Sequence, residues 1–379
     1  MSRRAFVVVL DAVGAGALPD AADYGDEGTH TLAHVAQDAG GLDVPTLQRL
    51  GLGSITPLAG VAPAGDPVLH GRLHPAGPGK DTIRGHWELM GVAAADALPT
   101  YPDGFPAQTV DALRAAWGRE MIGNRAQNGL EAIEAFGDEH LHTGALIVYT
   151  SADSVLQVAA HGDVVSEAEL HGLCATARPL VDVGRIIARP FTGEPGRFTR
   201  TAGRRDFALA PPARSYLQEL QAAGVPVHAV GKVHDVFAGI GIDHAHPGAD
   251  NAAALATVTR LIAELASGLV FANLVDTDQV FGHRKDVHGF AGALRVIDAA
   301  VAGWLQVLGP DDLLVLTADH GVDPRHPGSD HTREHVPLLA VFTGHGGRRH
   351  DGPMADVGAT CLHWLAGRDS ALPGTSFAP

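Results

Sequence analysis

Short apolar runs bounded by turn residues recur at 6–10, 146–149, 186–188, 227–230, 269–275 and 313–317. Each reads as a strand buried on both faces, the pattern of a parallel sheet. Between several of them the apolar positions change period. Leu255, Val258, Leu261, Ile262 and Leu265 share one face of a helix predicted over 251–266, and 294–308 behaves alike. Alternating strands and helices predict an α/β architecture with helices on both faces of the sheet. Two Pro/Gly-rich stretches, 96–106 and 189–213, interrupt the alternation. Read as hinges, they divide the chain into a core built from 1–95 and 211–379 and an inserted domain over 96–210. Neither an internal repeat nor a low-complexity tract is visible.

Composition narrows the function. The 379 residues are 45 % hydrophobic, enough for sizeable cores, and 27 basic against 43 acidic side chains give a net charge of −16. Such a balance argues against nucleic acid as a partner, because neutralising a phosphate backbone needs a basic face. An anionic substrate would need positive charge placed locally. Lysine is rare: Lys80, Lys232 and Lys285 are the only ones, and arginine carries the remaining positive charge. A lysine kept against that background marks a place where a compact ammonium is wanted, although codon bias gives the same pattern. Cys174 and Cys361 form no metal or redox spacing. The apolar run after Arg4 is shorter than a secretory core, and no run reaches the ~20 residues of a membrane span. A cytoplasmic location without membrane attachment is expected.

Candidate chemistry sits where the predicted strands end. Asp11 closes the first one, and the C-terminal ends of parallel strands are where α/β proteins build sites. The following Gly14-Ala15-Gly16-Ala17-Leu18-Pro19 approaches a dinucleotide fingerprint but puts Pro19 at its third glycine. Gly79-Lys80 approaches a P-loop, but His74 replaces the first glycine and Asp81 follows the lysine. Thr82 begins a helix with Ile83, Trp87 and Met90 on one face, so its hydroxyl is either a nucleophile at a phosphate-favouring helix start or a plain N-cap. Asp278 and His283 lie five residues apart beyond the strand at 269–275. Asp319-His320-Gly321 follows the strand at 313–317, and His331 stands a short loop later. Asp11, Asp278, His283, Asp319, His320 and His331 thus supply three carboxylates and three imidazoles, a set suited to two divalent ions. Two such ions would stabilise both oxygens of a phosphoryl transfer and activate a threonine hydroxyl. Asp276, Asp323, Asp330, His326 and His288 read as supporting or loop residues, and His30, His34, His70 and His171 as ordinary surface or core histidines.

Taken together these strings resemble the phosphopentomutase family of the prokaryotic type, within the alkaline phosphatase superfamily. The resemblance runs through Val9-Leu10-Asp11-Ala12-Val13-Gly14, Gly79-Lys80-Asp81-Thr82, Gly85-His86-Trp87-Glu88, Ile147-Val148-Tyr149-Thr150-Ser151-Ala152-Asp153-Ser154, Ala188-Arg189-Pro190-Phe191, Phe198-Thr199-Arg200-Thr201, Asn273-Leu274-Val275-Asp276, Thr317-Ala318-Asp319-His320-Gly321 and Asp330-His331-Thr332-Arg333-Glu334. It implies an alkaline-phosphatase-like doubly wound core sheet with a smaller inserted α/β cap. It also implies that Asp11, Asp319 and His320 hold one Mn2+ and Asp278, His283 and His331 the other, with Mg2+ or Zn2+ as alternatives, and that Thr82 between them is phosphorylated. Ser151, Asp153, Val155, Arg185, Ile187 and Arg200 would contact the sugar phosphate, joined by Lys232 from the core. A ribose or glucose bisphosphate would be the activator. Two places depart from the resembled pattern: Arg84 stands where a threonine is usual, and Asn124-Arg125-Ala126-Gln127-Asn128-Gly129 replaces an Asn-Lys-Pro-Ala-Ser-Gly string.

The activity implied is interconversion of α-D-ribose 1-phosphate, or its 2-deoxy analogue, with the 5-phosphate, through phosphothreonine and a 1,5-bisphosphate. A cap over the sugar would keep water from hydrolysing phospho-Thr82. Three readings compete: a two-metal phosphomonoesterase, a cofactor-independent phosphoglycerate-mutase-like enzyme, and a non-catalytic metal-binding protein. Thr82 in place of serine and the 149–153 string speak against the second.

Overall fold

The computed structural model describes residues 3–151, 154–344 and 346–378. Fourteen strands are formed among them: β1 Arg4–Leu10, β2 Leu69–His74, β3 Met121–Ala126, β4 Leu146–Thr150, β5 Val155–His161, β6 Arg185–Thr192, β7 Thr199–Arg200, β8 Arg205–Ala208, β9 Val227–Val230, β10 His244–His246, β11 Gly268–Leu274, β12 Asp312–Thr317, β13 Val336–Val341 and β14 Gly352–Pro353. The chain forms two compact units. One runs to Asp96 and resumes at Pro211, and the other spans Ala97–Ala210.

In the first unit eight strands lie in the order β10-β9-β11-β1-β12-β13-β2-β14. The five from β10 to β12 are mutually parallel, whereas β13 runs antiparallel to both of its neighbours. Every residue of β11 and β12 is buried, which is why both read as predominantly apolar runs. Helix Asn251–Glu264 packs on β11, and helix Val287–Trp304 packs on that helix in turn. The second begins seven residues before the predicted start at 294, because Asp286 caps it by accepting from the Gly289 N–H at 2.9 Å. No helix among the described residues is long and apolar enough to cross a membrane.

The second unit is built on a sheet ordered β3-β4-β5-β6-β7, with β8 also on β6. Leu146 and Val148 of β4 enter one apolar cluster with Trp117 and Leu170, while Ile147 and Tyr149 enter another with Ile133 and Phe191. Both faces of the sheet are therefore covered. The stretch 189–213 is not a hinge throughout, for β6 continues to Thr192 and β7 and β8 fold back against it. Pro190 is tolerated because it falls between the two antiparallel ladders, where its missing N–H costs no bond and its carbonyl accepts from Thr201 N–H at 3.1 Å.

Candidate active site

The sheet order itself assembles the site. Strands β9, β11, β1 and β12 are adjacent and parallel, so their C-terminal ends share one edge. Asp11 follows β1, Asp319 follows β12, Asp278 sits in the π-helical turn Thr277–Gly282 after β11, and Lys232 follows β9. All three carboxylates are essentially buried. The chain turns sharply after Asp11: Ala12 has φ +62°, a left-handed conformation unusual for alanine, and its N–H donates to Asp319 Oδ1 at 3.1 Å.

Around them the imidazoles are oriented by backbone carbonyls. His283 donates from Nδ1 to the Ser329 carbonyl at 2.7 Å, and its Nε2 lies 3.3 Å from Asp278 Oδ1. His331 Nε2 reaches the same oxygen at 3.4 Å. His320 donates from Nδ1 to the Gly321 carbonyl at 3.2 Å, leaving Nε2 at 3.5 Å from Asp11 Oδ1 and 3.3 Å from Asp319 Oδ2. Among the described residues, two groups have ligand atoms close enough together for one ion each: Asp278, His283 and His331, and Asp11, Asp278 and His320. Asp278 belongs to both, and Asp319 borders the second through His320. Asp11 Oδ1, Asp278 Oδ1 and Asp319 Oδ2 are buried with no hydrogen-bond partner, a cost that bound cations would remove. The donor set therefore fits divalent metal.

The same surroundings set the protonation states. Burial raises the Asp11 carboxyl well above the usual range, reinforced by Asp319 and opposed by Lys232. Burial also opposes charge on Asp278, but His283, His331 and Lys232 overcome it and hold that carboxyl well below its ordinary value. Asp319 is likewise lowered, by His320 and His86 against its burial. Burial brings His320 down to about 4, against the opposing pull of Asp319. Lys232 is largely but not wholly buried, and Asp11 and Asp319 outweigh that burial and raise its pKa, keeping the ammonium charged.

Thr82 is the first residue of the helix Thr82–Leu89. It is not the cap: Asp81 is, accepting from Ile83 and Arg84 N–H at 3.0 and 3.1 Å. Thr82 is thereby released from capping, and its Oγ1 lies 3.1 Å from Lys232 Nζ and 3.1 Å from His320 Nε2. Lys232 also pairs with Asp11. The helix is buried on all sides rather than on one face. It packs so closely that a Cβ on Gly85 would stand 2.2 Å from the Asp319 carbonyl oxygen. His86, which sequence reasoning gave no role, donates from Nδ1 to the Thr82 carbonyl at 2.8 Å and lies 3.2 Å from Asp319 Oδ2. Arg84 turns to the Asp96 carbonyl, 2.5 Å away, and lies over the Trp87 ring.

The remaining candidates lie in the second unit. Ser151 follows β4, Val155 and Arg185 open the paired strands β5 and β6, Ile187 is buried two residues further on, and Arg200 ends β7. Asp153 lies outside the described residues. Arg185 is 3.9 Å from Asp206 Oδ2. Arg200 and the buried Tyr149 hydroxyl converge on the start of helix Gly129–Thr143, where a Cβ on Gly129 would meet both at 2.5 Å. Arg189, on β6, donates to Gln157 Oε1 at 3.0 Å. Tyr149 and Arg189 were visible only as members of longer strings, since it is strand pairing that sets Gln157 beside both.

Comparison with known proteins gives this arrangement a family. The model of the metalloenzyme superfamily matches residues 3–367. A curated phosphopentomutase of Anaeromyxobacter sp. (strain K) is 47 % identical over 100 % of this chain and 98 % of its own length. The chain belongs to the phosphopentomutase family. A phosphopentomutase of Levilactobacillus brevis is likewise 47 % identical, over 95 % of this chain and 94 % of its own. Among solved structures, a Pyrococcus horikoshii protein aligns with a TM-score of 0.51 at 14 % identity, covering 98 % of both chains. Within this family the fold is alkaline-phosphatase-like α/β, and its members are divalent-metal enzymes of the isomerase class.

Proposed function

We propose that the chain interconverts α-D-ribose 1-phosphate, or its 2-deoxy analogue, with the corresponding 5-phosphate, through phospho-Thr82. The observation that carries this reading is the Thr82 hydroxyl, 3.1 Å from the Lys232 ammonium and 3.1 Å from His320 Nε2, beside three buried carboxylates. Asp11, Asp319 and His320 would hold one Mn2+ and Asp278, His283 and His331 the other, with the Asp278 carboxylate near enough to Asp11 and His320 to serve the first ion as well. Such ions supply Lewis-acid stabilisation of the transferring group and lower the pKa of a nearby hydroxyl.

The chain's own groups account for the rest. Lys232 points its positive charge at the oxygen that gains negative charge whenever the phosphoryl group leaves Thr82. The start of the Thr82–Leu89 helix favours a phosphate at that place. Phospho-Thr82 gives its phosphoryl group to the free hydroxyl of the sugar monophosphate: the bond to Thr82 Oγ1 breaks and the 1,5-bisphosphate forms. The sugar then presents its other phosphate, which returns to Thr82 and restores the phosphoenzyme. Ser151, Asp153, Val155, Arg185, Ile187 and Arg200 are assigned to the sugar phosphate, where arginine forks match phosphate oxygens. A ribose or glucose bisphosphate supplies the first phosphoryl group. The enzyme works in the cytoplasm, where Cys174 and Cys361, both buried and free, stay reduced.

Intact-mass measurement after exposure to a sugar bisphosphate tests the nucleophile. The wild type gains one phosphoryl group, and a folded, metal-containing Thr82→Ala protein gains none and has no mutase activity. Phosphorylation persisting in that variant would assign the nucleophile elsewhere.

A further inference from the structure

Lysine is the scarcest basic residue of the chain, yet all three lysines end at or beside the candidate active site. Lys232 touches Thr82 and Asp11. Lys285 donates to the His326 carbonyl, and the His326 ring in turn reaches Asp26 Oδ1 at 3.1 Å. Lys80, two residues before Thr82, places its Nζ 2.9 and 3.2 Å from the two oxygens of Asp26 and 3.2 Å from Asp330 Oδ2. The chemistry proposed above uses neither Lys80 nor Asp26.

Asp26 has no solvent exposure. A buried carboxylate is costly unless it is paired and hydrogen-bonded, so a cation beside it is a structural requirement. Its partners, however, come from the two loops whose relative position matters for phosphoryl transfer. Lys80 belongs to the nucleophile loop. Arg333, whose N–H donates to Asp26 Oδ2 at 2.7 Å, belongs to the loop bearing His331. Asp330, the second carboxylate that Lys80 touches, immediately precedes His331 and accepts its N–H at 2.8 Å. A second strut runs the opposite way, from the Arg333 guanidinium to the Gly79 carbonyl at 2.6 Å, while the same side chain holds Asp20 at 2.8 Å.

The geometry points to Lys80 as a positioning residue: its ammonium, seated between Asp26 and Asp330, latches the Thr82 loop to the His331 loop. This rests on the reading of Thr82 as nucleophile. A single small cation touching two carboxylates does this work where the broad guanidinium fork would hold the loops further apart. A displacement of about 1 Å in a reacting group costs on the order of 100-fold in rate, whereas substrate affinity depends on other contacts.

The test compares Lys80→Met with the double variant Asp26→Asn/Lys80→Met, which leaves no unpaired buried charge and so keeps the fold within reach even where the single variant does not. Arg325→Ala, which removes an exposed pair with Asp38, serves as control. For each protein we would measure thermal unfolding, kcat and KM, and phospho-Thr82 by intact mass after exposure to a sugar bisphosphate. The latch predicts a folded double variant that still accepts phosphate on Thr82 but turns over at least tenfold more slowly, with KM within twofold of wild type. Turnover within twofold of wild type, or a loss carried by KM alone, overturns it. Absence of phospho-Thr82 from the wild type would instead overturn the nucleophile reading, and the latch with it.

Discussion

Asp278 is the residue on which the candidate metal centre turns, because its carboxylate belongs to both ligand groups and its Oδ1 faces His283 and His331. Replacement by asparagine keeps the shape and removes the charge. Metal affinity should then fall by more than the roughly 10–100-fold typical of losing an outer-shell partner, with the bound stoichiometry dropping below that of wild type. Elemental analysis and calorimetric titration would read this, and unchanged stoichiometry and affinity would remove Asp278 from the centre. Residue types at strand ends were enough to nominate all six candidate ligands from the sequence. Asp26 and His86 were not legible, because nothing local marks them: Asp26 acquires its role from Lys80 and the Arg333 N–H, and His86 from Asp319, each distant in sequence.

The element that delivers Thr82 is the short helix Thr82–Leu89, and glycine sets its depth. With Gly85 a Cβ's width from the Asp319 carbonyl, alanine there would raise helix propensity by about 1 kcal/mol yet force the helix off the loop carrying Asp319. Overpacking of this kind costs about 1–3 kcal/mol, so Gly85→Ala should lower both the unfolding temperature and kcat. A variant more stable than wild type with full activity would show that the two elements have slack. The same scale explains what the sequence concealed. Strands β11 and β12 announced themselves as apolar runs, broken in β11 only by Asn273, whereas β2 reads Leu-His-Gly-Arg-Leu-His and β13 carries Pro337, so neither gave a strand signal. Pairing with each other forms them. In the second unit Gln157 interrupts the run that becomes β5, although the whole strand is buried.

For the molecule as a whole, the order of strands does what no local pattern can. Asp11, Lys232, Asp278 and Asp319 are spread over more than three hundred positions, and they meet because β9, β11, β1 and β12 are parallel neighbours. That adjacency is not written in any one segment; it was legible only through the resemblance of many strings at once. Composition spoke at this scale too. A chain with a net charge of −16 would need its cations placed individually to take an anionic substrate, and the proposed function assigns that task to Lys232 beside Thr82 and to Arg185 and Arg200 in the second unit. The fate of the phosphoryl group separates a mutase from a phosphatase. Purified protein incubated with ribose 5-phosphate, Mn2+ and a catalytic amount of sugar bisphosphate should yield ribose 1-phosphate with little inorganic phosphate, and Thr82→Ala should yield neither. Inorganic phosphate as the main product would contradict the account and make the enzyme a phosphatase.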